Sequence, residues 1–220
     1  MIKYFCRTVI FLLFAVSFAT VQAQPFANDI AAFKKQDSIS FPPKNAILFV
    51  GSSSFTKWTD VQNYFPEHKI INRGFGGSTL PDVMQYANDI IFPYEPKQIV
   101  IYCGENDFAA EDNLSPAQGA KRFFRLFKMI RKKFRNVPIA YISMKPSPSR
   151  KHLVAKFNAA NVMIKEFLTT KRRTAFIDVY HAMLDKDGAP MPDIFLEDNL
   201  HMNAKGYAIW QQLIEPYLLK

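Results

Sequence analysis

Cysteine is nearly absent from this chain. There are two in 220 residues, Cys6 and Cys103. If Cys6 leaves with an N-terminal leader, one remains and no internal disulfide can form. Histidine is scarce as well, with four in the whole chain. Past the N-terminus no apolar run approaches the roughly 20 residues that a membrane-crossing helix needs. There is no internal repeat, no low-complexity segment and no linker that would divide the chain. Acidic residues are outnumbered, 19 against 28 basic ones, for a formal charge of +9. No nucleic-acid motif accompanies that charge, so a nucleic-acid partner is not expected.

What the chain does have is apolar bulk. Hydrophobic residues are 49% and aromatics 15%, with 21 Phe. That is ample for a core and excludes disorder as the general state. The length suits one domain.

The first 23 residues read as a secretory leader. Lys3 and Arg7 are basic, Thr8 to Val21 is dominated by apolar residues around Ile10-Phe-Leu-Leu-Phe-Ala-Val, and Val21-Gln22-Ala23 suits signal peptidase. Cleavage after Ala23 leaves residues 24–220 as one domain, free in the periplasm or secreted. The alternative, an uncleaved anchor, has a short apolar core for a span. Cys6 lies too early for lipid attachment. Without the leader the charge falls to +7. Much of it sits between Lys121 and Arg135, mostly opposite an apolar stripe, which describes a solvated helix face. Attraction to anionic lipid or polysaccharide is the other reading.

Five short apolar runs alternate with helical patterns. Ala46 to Val50, Lys69 to Asn72, Lys97 to Tyr102, Pro138 to Ser143 and Ala175 to Val179 read as strands. Helical spacing marks Phe26 to Lys35, Pro81 to Ile91, about Pro116 to Phe134, Leu153 to Leu168 and Ala204 to Leu219. Val61 to Glu67 is helical or irregular, and Lys145 to Ser149 is a stiff loop. Ser115-Pro116 is a cap followed by proline at the first helical position. The alternation predicts a parallel sheet covered on both faces, a three-layer α/β/α sandwich. In such sheets sites form at the C-terminal strand ends.

Small and polar residues collect at those ends. After the first strand comes Gly51-Ser-Ser-Ser54, by itself only a capped turn, but also a place where a nucleophile can stand clear of the backbone. After the second comes Asn72-Arg-Gly-Phe-Gly-Gly-Ser78, whose glycines let amides approach a ligand. After the third comes Gly104-Glu-Asn-Asp107, in which Asn106 offers an amide to a developing oxyanion. Asp198-Asn-Leu-His201 precedes the last helix, and its spacing lets the carboxylate hold the imidazole in one tautomer. His68, His152 and His181 lack an acid at a helpful spacing in such a loop-to-helix junction. Cys103, after an apolar strand, reads as a buried small hydrophobe.

With these four elements in this order, the chain resembles the SGNH hydrolases, also called GDSL-type esterases and lipases, over nearly its whole mature length. Phe49-Val-Gly-Ser-Ser-Ser is similar to the first family block, Asn72 to Ser78 to the second, Gly104-Glu-Asn-Asp to the third and Asp198-Asn-Leu-His to the fifth. Ser52 and Ser78 stand where the family usually has Asp. The resemblance implies a flavodoxin-like, five-stranded parallel sheet of order 2-1-3-4-5 and no metal or other cofactor. It implies Ser53, Asp198 and His201 as catalytic residues, with Ser53, Gly77 and Asn106 forming an oxyanion hole. The departure at position 52 leaves Ser52 or Ser54 as rival nucleophiles. The expected activity is ester hydrolysis through an acyl-enzyme. Short loops favour small acyl groups such as acetyl, on a small-molecule or glycan ester. Trp58 and Phe108 are candidates to stack a sugar ring, against a plain core role, and Lys145 is a candidate substrate contact. A lysophospholipase or thioesterase, or a non-catalytic carbohydrate-binding protein on the same fold, are the rival readings. The sequence does not specify oligomeric state.

Overall fold

A computed structural model describes residues 25–220. The leader expected over residues 1–23 lies outside them. The chain enters through α1 (Ala27–Ile39) and reaches β1 (Ile47–Gly51), whose five residues are all buried. Side chains alternate along a strand. Leu48 and Val50 therefore face one apolar layer, while Ile47 and Phe49 face the other. A strand buried on both faces belongs at the centre of a sheet.

Two short helices follow, α2 (Ser53–Thr56) and α3 (Val61–Tyr64), and then β2 (Ile70–Gly74). The helix expected over Pro81 to Ile91 is two pieces, α4 (Leu80–Gln85) and α5 (Ala87–Ile90), parted at Tyr86. After β3 (Gln98–Tyr102) the polar stretch read as a strand end continues into a helix, α6 (Glu105–Ala110). Next comes α7 (Pro116–Lys133), opened by a capping box in which Ser115 and Gln118 each accept the other's backbone N–H. The remaining elements are β4 (Ile139–Ile142), a 3₁₀ turn at Pro148–Leu153, α8 (Val154–Thr169), β5 (Thr174–Ile177) and α9 (Ala204–Ile214). The last helix stops short of Leu219 because Pro216 follows, within a 3₁₀ turn at Glu215–Tyr217.

The strands form one all-parallel sheet in the order β2-β1-β3-β4-β5, the order the resemblance implies. Residues from α1, α4, α5, α7 and α8 pack in one apolar layer, and residues from α2, α3 and α9 in the other. Among the described residues no helix is long and apolar enough to cross a membrane. Part of the basic run on α7 has a structural use. Arg131 donates to the carbonyls of Val137, Arg172 and Arg173, tying off the chain between helix and strand.

For two aromatics the plain core role prevails over the sugar-stacking alternative. Trp58 is fully buried, its ring stacked on Tyr207 at 4.7 Å and edge-on to Tyr64 and Phe65. Phe108 is 1% exposed and packs edge-on to Phe157, with so little room above it that a Cβ on Gly119 would fall 2.4 Å from the ring. Neither can meet a sugar. Both lie close to the reacting residues in sequence, but Trp58, in the connection after α2, and Phe108, on α6, face inward, where burying a large ring stabilises the fold far more than a solvent-facing contact would. Trp58→Ala should therefore lower stability by about 3–5 kcal/mol, read from urea unfolding. A substrate-stacking role predicts instead a raised KM with stability unchanged.

Candidate functional site

The end of β1 is fixed by backbone contacts. Gly51 has φ +151°, and a Cβ there would sit 1.8 Å from the Tyr102 carbonyl oxygen, so only glycine fits. Its own carbonyl accepts from the Phe75 N–H at 2.9 Å and from the Ser78 hydroxyl at 3.2 Å. The hydroxyl at position 78 thus braces the turn of β1. Ser52 then caps α2 in an extended conformation, and Ser53 opens the helix. Asn72 fastens this helix to β2, donating to the Phe55 carbonyl at 2.7 Å and accepting from the Gly74 N–H at 3.0 Å.

The three serines are not equivalent. Ser52 and Ser54 are buried, at 5% and 2% exposure, whereas Ser53 is half-buried. Among the described residues the Ser53 hydroxyl has no hydrogen-bond partner. Exposure thus favours Ser53 over its neighbours as the group that can meet a ligand. Gly77, in the loop after β2, has a left-handed conformation, φ +83°, and is exposed. Its neighbour Gly76 is the glycine that approaches the serine, since a Cβ there would lie 3.9 Å from the Ser53 Cβ.

Asn106 lies at the second position of α6. Its amide nitrogen donates to Ser52 Oγ at 2.7 Å and to the Ser78 carbonyl at 2.9 Å. Its oxygen accepts from Arg150 Nη2 at 2.6 Å. Next to it, Asp107 is fully buried. It accepts from the Leu80 N–H at 2.9 Å and from Arg122 at 3.0 Å, which locks α6 against α4 and α7. Burial raises the Asp107 carboxyl above its ordinary range, against the pull of Leu80 and Arg122.

On the other rim, Asp198 bends the chain ahead of α9. One carboxylate oxygen accepts from the backbone N–H groups of Leu200 and His201, both at 2.9 Å. The other meets His201 Nδ1 at 2.5 Å. Burial would push Asp198 up, but the bonds from the His201 side chain and from the two amides outweigh it and bring the carboxyl down to about 2. An ionised partner on Nδ1 leaves Nε2 as the nitrogen that can take a proton from elsewhere. Nε2 has no hydrogen bond among the described residues, and His201 and Ser53 do not bond one another here.

The two rims nevertheless meet. Leu200, beside His201, lines the same small cleft as Ser52, Ser53, Asn106, Lys145 and Arg150. The charge of Asp198 acts on Lys145, the Ser149 N–H bonds the Asn199 carbonyl at 3.1 Å, and the Tyr207 hydroxyl on α9 bonds the Ser54 carbonyl at 2.8 Å. Lys145 is 2% exposed, with its ammonium 3.2 Å from both oxygens of Glu105. Burial draws its pKa down, with Glu105 opposing. Cys103 is a free, buried thiol, and burial holds it well above its ordinary value, which suits packing and not attack.

The sequence reading missed Glu105 and Arg150, which meet at 3.2 Å. Glu105 belongs to the third motif and was legible there; Arg150 carries no local signal, because only the turn after β4 brings it here. The reading also misjudged His181. Asp178 stands three residues before it and bonds its Nδ1 at 2.7 Å, the same spacing as Asp198 and His201. That second pair follows the edge strand β5, and no serine, threonine or cysteine lines the hollow beside it. His68 is buried and bonds Glu215 and the Leu219 carbonyl, a structural role. Among the described residues no cluster of His, Cys, Asp and Glu could hold a metal ion.

Residues 15–209 match the GDSL-like Lipase/Acylhydrolase family. Three solved structures share the fold. A GDSL-like lipase from Bacteroides thetaiotaomicron is 18% identical, with a TM-score of 0.73 over 86% of this chain and 96% of that one. A lipase/acylhydrolase from Enterococcus faecalis is 21% identical, TM-score 0.63, over 79% and 94%. A variant of an acetyl-xylooligosaccharide esterase from Geobacillus Stearmophilus is 14% identical, TM-score 0.62, over 81% and 96%. No curated protein matches the sequence. With nearly nine-tenths of its length matched, this chain belongs to the GDSL-like lipase/acylhydrolase family, serine hydrolases that act on ester bonds.

Proposed function

We propose that this protein is an exported esterase that removes small acyl groups, acetyl above all, from carbohydrate through an acyl-enzyme on Ser53. The observation that carries the reading is the cleft at Ser53. Its volume is about 10 Å³, it is partly open to solvent, and Glu105, Asn106, Lys145 and Arg150 line it beside the serines. That is room for about one water. A long acyl chain finds no apolar channel there, whereas an acetyl methyl asks for little space. The acetyl-xylooligosaccharide esterase among the similar folds supports the same substrate class. The basic, apolar and small-residue pattern of residues 1–23 supports export.

In the proposed mechanism the Ser53 hydroxyl attacks the ester carbonyl and its proton passes to His201 Nε2. Asp198 keeps the imidazole in the matching tautomer and stabilises it once charged. The oxyanion accepts from the Ser53 and Gly77 N–H groups and from the Asn106 amide, one of whose N–H groups turns from Ser52 Oγ to the substrate oxygen. Collapse breaks the bond from the acyl carbon to the sugar oxygen, which takes the proton from His201 and leaves as the free sugar hydroxyl. Water then attacks the acyl-enzyme with His201 as base. Serine and imidazole close to bonding distance when substrate arrives, as catalytic pairs that stand apart in the free enzyme do.

Ser53→Ala should abolish hydrolysis of p-nitrophenyl acetate and labelling by a fluorophosphonate while the thermal unfolding curve stays in place. Retained turnover in that variant discards Ser53. Across p-nitrophenyl esters of rising chain length, kcat/KM should fall from acetate to octanoate, and acetylated xylo-oligosaccharides should be deacetylated. A rise with chain length, or turnover of lysophospholipid alone, overturns the acetyl reading.

Asp198→Asn should lower kcat/KM by roughly 10²–10⁴-fold, because an amide at this position permits the wrong tautomer. The wild-type carboxylate stays ionised down to about pH 2. Activity lost at mildly acidic pH therefore does not report Asp198. A rate that stays flat until pH 3 would contradict a histidine base.

A further inference from the structure

Among the described residues, Arg150 is the one cation that hydrogen-bonds an oxyanion candidate. Its Nη2 donates to the Asn106 oxygen at 2.6 Å, and its Nη1 lies 3.2 Å from Glu105 Oε2. Glu105 is held from the other side by the ammonium of buried Lys145. The Arg150 side chain is only 16% exposed. A planar guanidinium pinned at two points in a mostly dry setting has little freedom to swing.

We propose that Arg150 is a positioning residue for the oxyanion, acting through Asn106. The inference rests on the reading of Ser53, Gly77 and Asn106 given above. An asparagine amide can sit in either of two orientations related by a half-turn. Here both ends select the same one. Turned over, the amide would aim its NH₂ at the guanidinium and its oxygen at the Ser78 carbonyl, two repulsive contacts. As found, the NH₂ faces Ser52, Ser78 and the cleft. The guanidinium also draws electron density through the amide, which makes the N–H groups stronger donors to a developing negative charge. The same turn touches the acid–base loop, since Ser149 bonds Asn199. One short segment thus braces both halves of the site.

The test is a double-mutant cycle on kcat/KM for p-nitrophenyl acetate, with thermal unfolding followed for each variant. Arg150→Ala should lower kcat/KM by about 10–10²-fold, less than the roughly 10²–10³-fold expected for Asn106→Ala. Arg150→Lys, which keeps the charge, should recover part of the loss, and so should added guanidinium with the alanine variant. In the Asn106→Ala background, Arg150→Ala should cost nothing further, because its target is gone. A role in the fold alone, or a direct contact with substrate, would cost as much in that background as in the wild type. That result overturns the proposal, as does an Arg150→Ala enzyme within twofold of wild type. Arg150→Gln fills the space without the charge and carries the cycle if the alanine variant does not fold. Ser53→Ala separates the two levels. Hydrolysis surviving in Ser53→Ala rejects the site itself, whereas an inert Ser53→Ala beside a fully active Arg150→Ala rejects only the role of Arg150.

Discussion

The end of β1 has no room for a side chain, and the site is built from that exclusion. Gly51 lies against the Tyr102 carbonyl of the neighbouring strand so closely that a Cβ would overlap the oxygen. The contact lets the chain leave the sheet at a sharp angle and start a helix at once. Ser53 therefore stands at the open edge while Ser52 and Ser54 turn inward. The neighbouring strand ends are drawn to the same spot, since the Gly51 carbonyl collects the Phe75 N–H and the Ser78 hydroxyl. A single steric limit at the end of the central strand thus brings two of the polar motifs together.

Beneath the reacting groups lies a layer of buried polar contacts. Asp107 ties α6 to α4 and α7, and Glu105 ties Lys145 to Arg150. These residues do no chemistry in the mechanism. They hold α6, and with it Asn106, at a set height above the sheet. Burying charge is costly unless every charge finds a partner, and here each does. Farther from the cleft, Arg73 is fixed in the same way, bonding Asp37 at 2.5 Å and Tyr94 at 2.6 Å, which joins α1 to β2.

Much of this was legible in the order of residues. The apolar runs ending in small or polar residues gave the five parallel strands and the edge where Ser53, Gly77 and Asn106 collect. What was not legible depended on direction and distance. Trp58 and Phe108 sit near the reacting residues along the chain, yet the connection after α2 and the inner face of α6 send the rings into the core. The spacing of Asp198 and His201 recurs in Asp178 and His181, so spacing alone does not distinguish them; the hollow each pair borders does. Arg150 was invisible because its meaning comes entirely from a contact 44 residues away in sequence.

The C-terminal residues reach far back into the chain. Gln98, on a central strand, bonds the Tyr217 carbonyl and the Leu219 N–H, and His68 bonds Glu215 and the Leu219 carbonyl. These contacts close loops of 119 to 151 residues. A chain synthesised from its N-terminus cannot make them until residues 215–219 have emerged. The domain therefore closes only after α9 and the turn behind it have been made, and a nascent chain halted before Glu215 lacks the clasp that fastens α9 across the sheet.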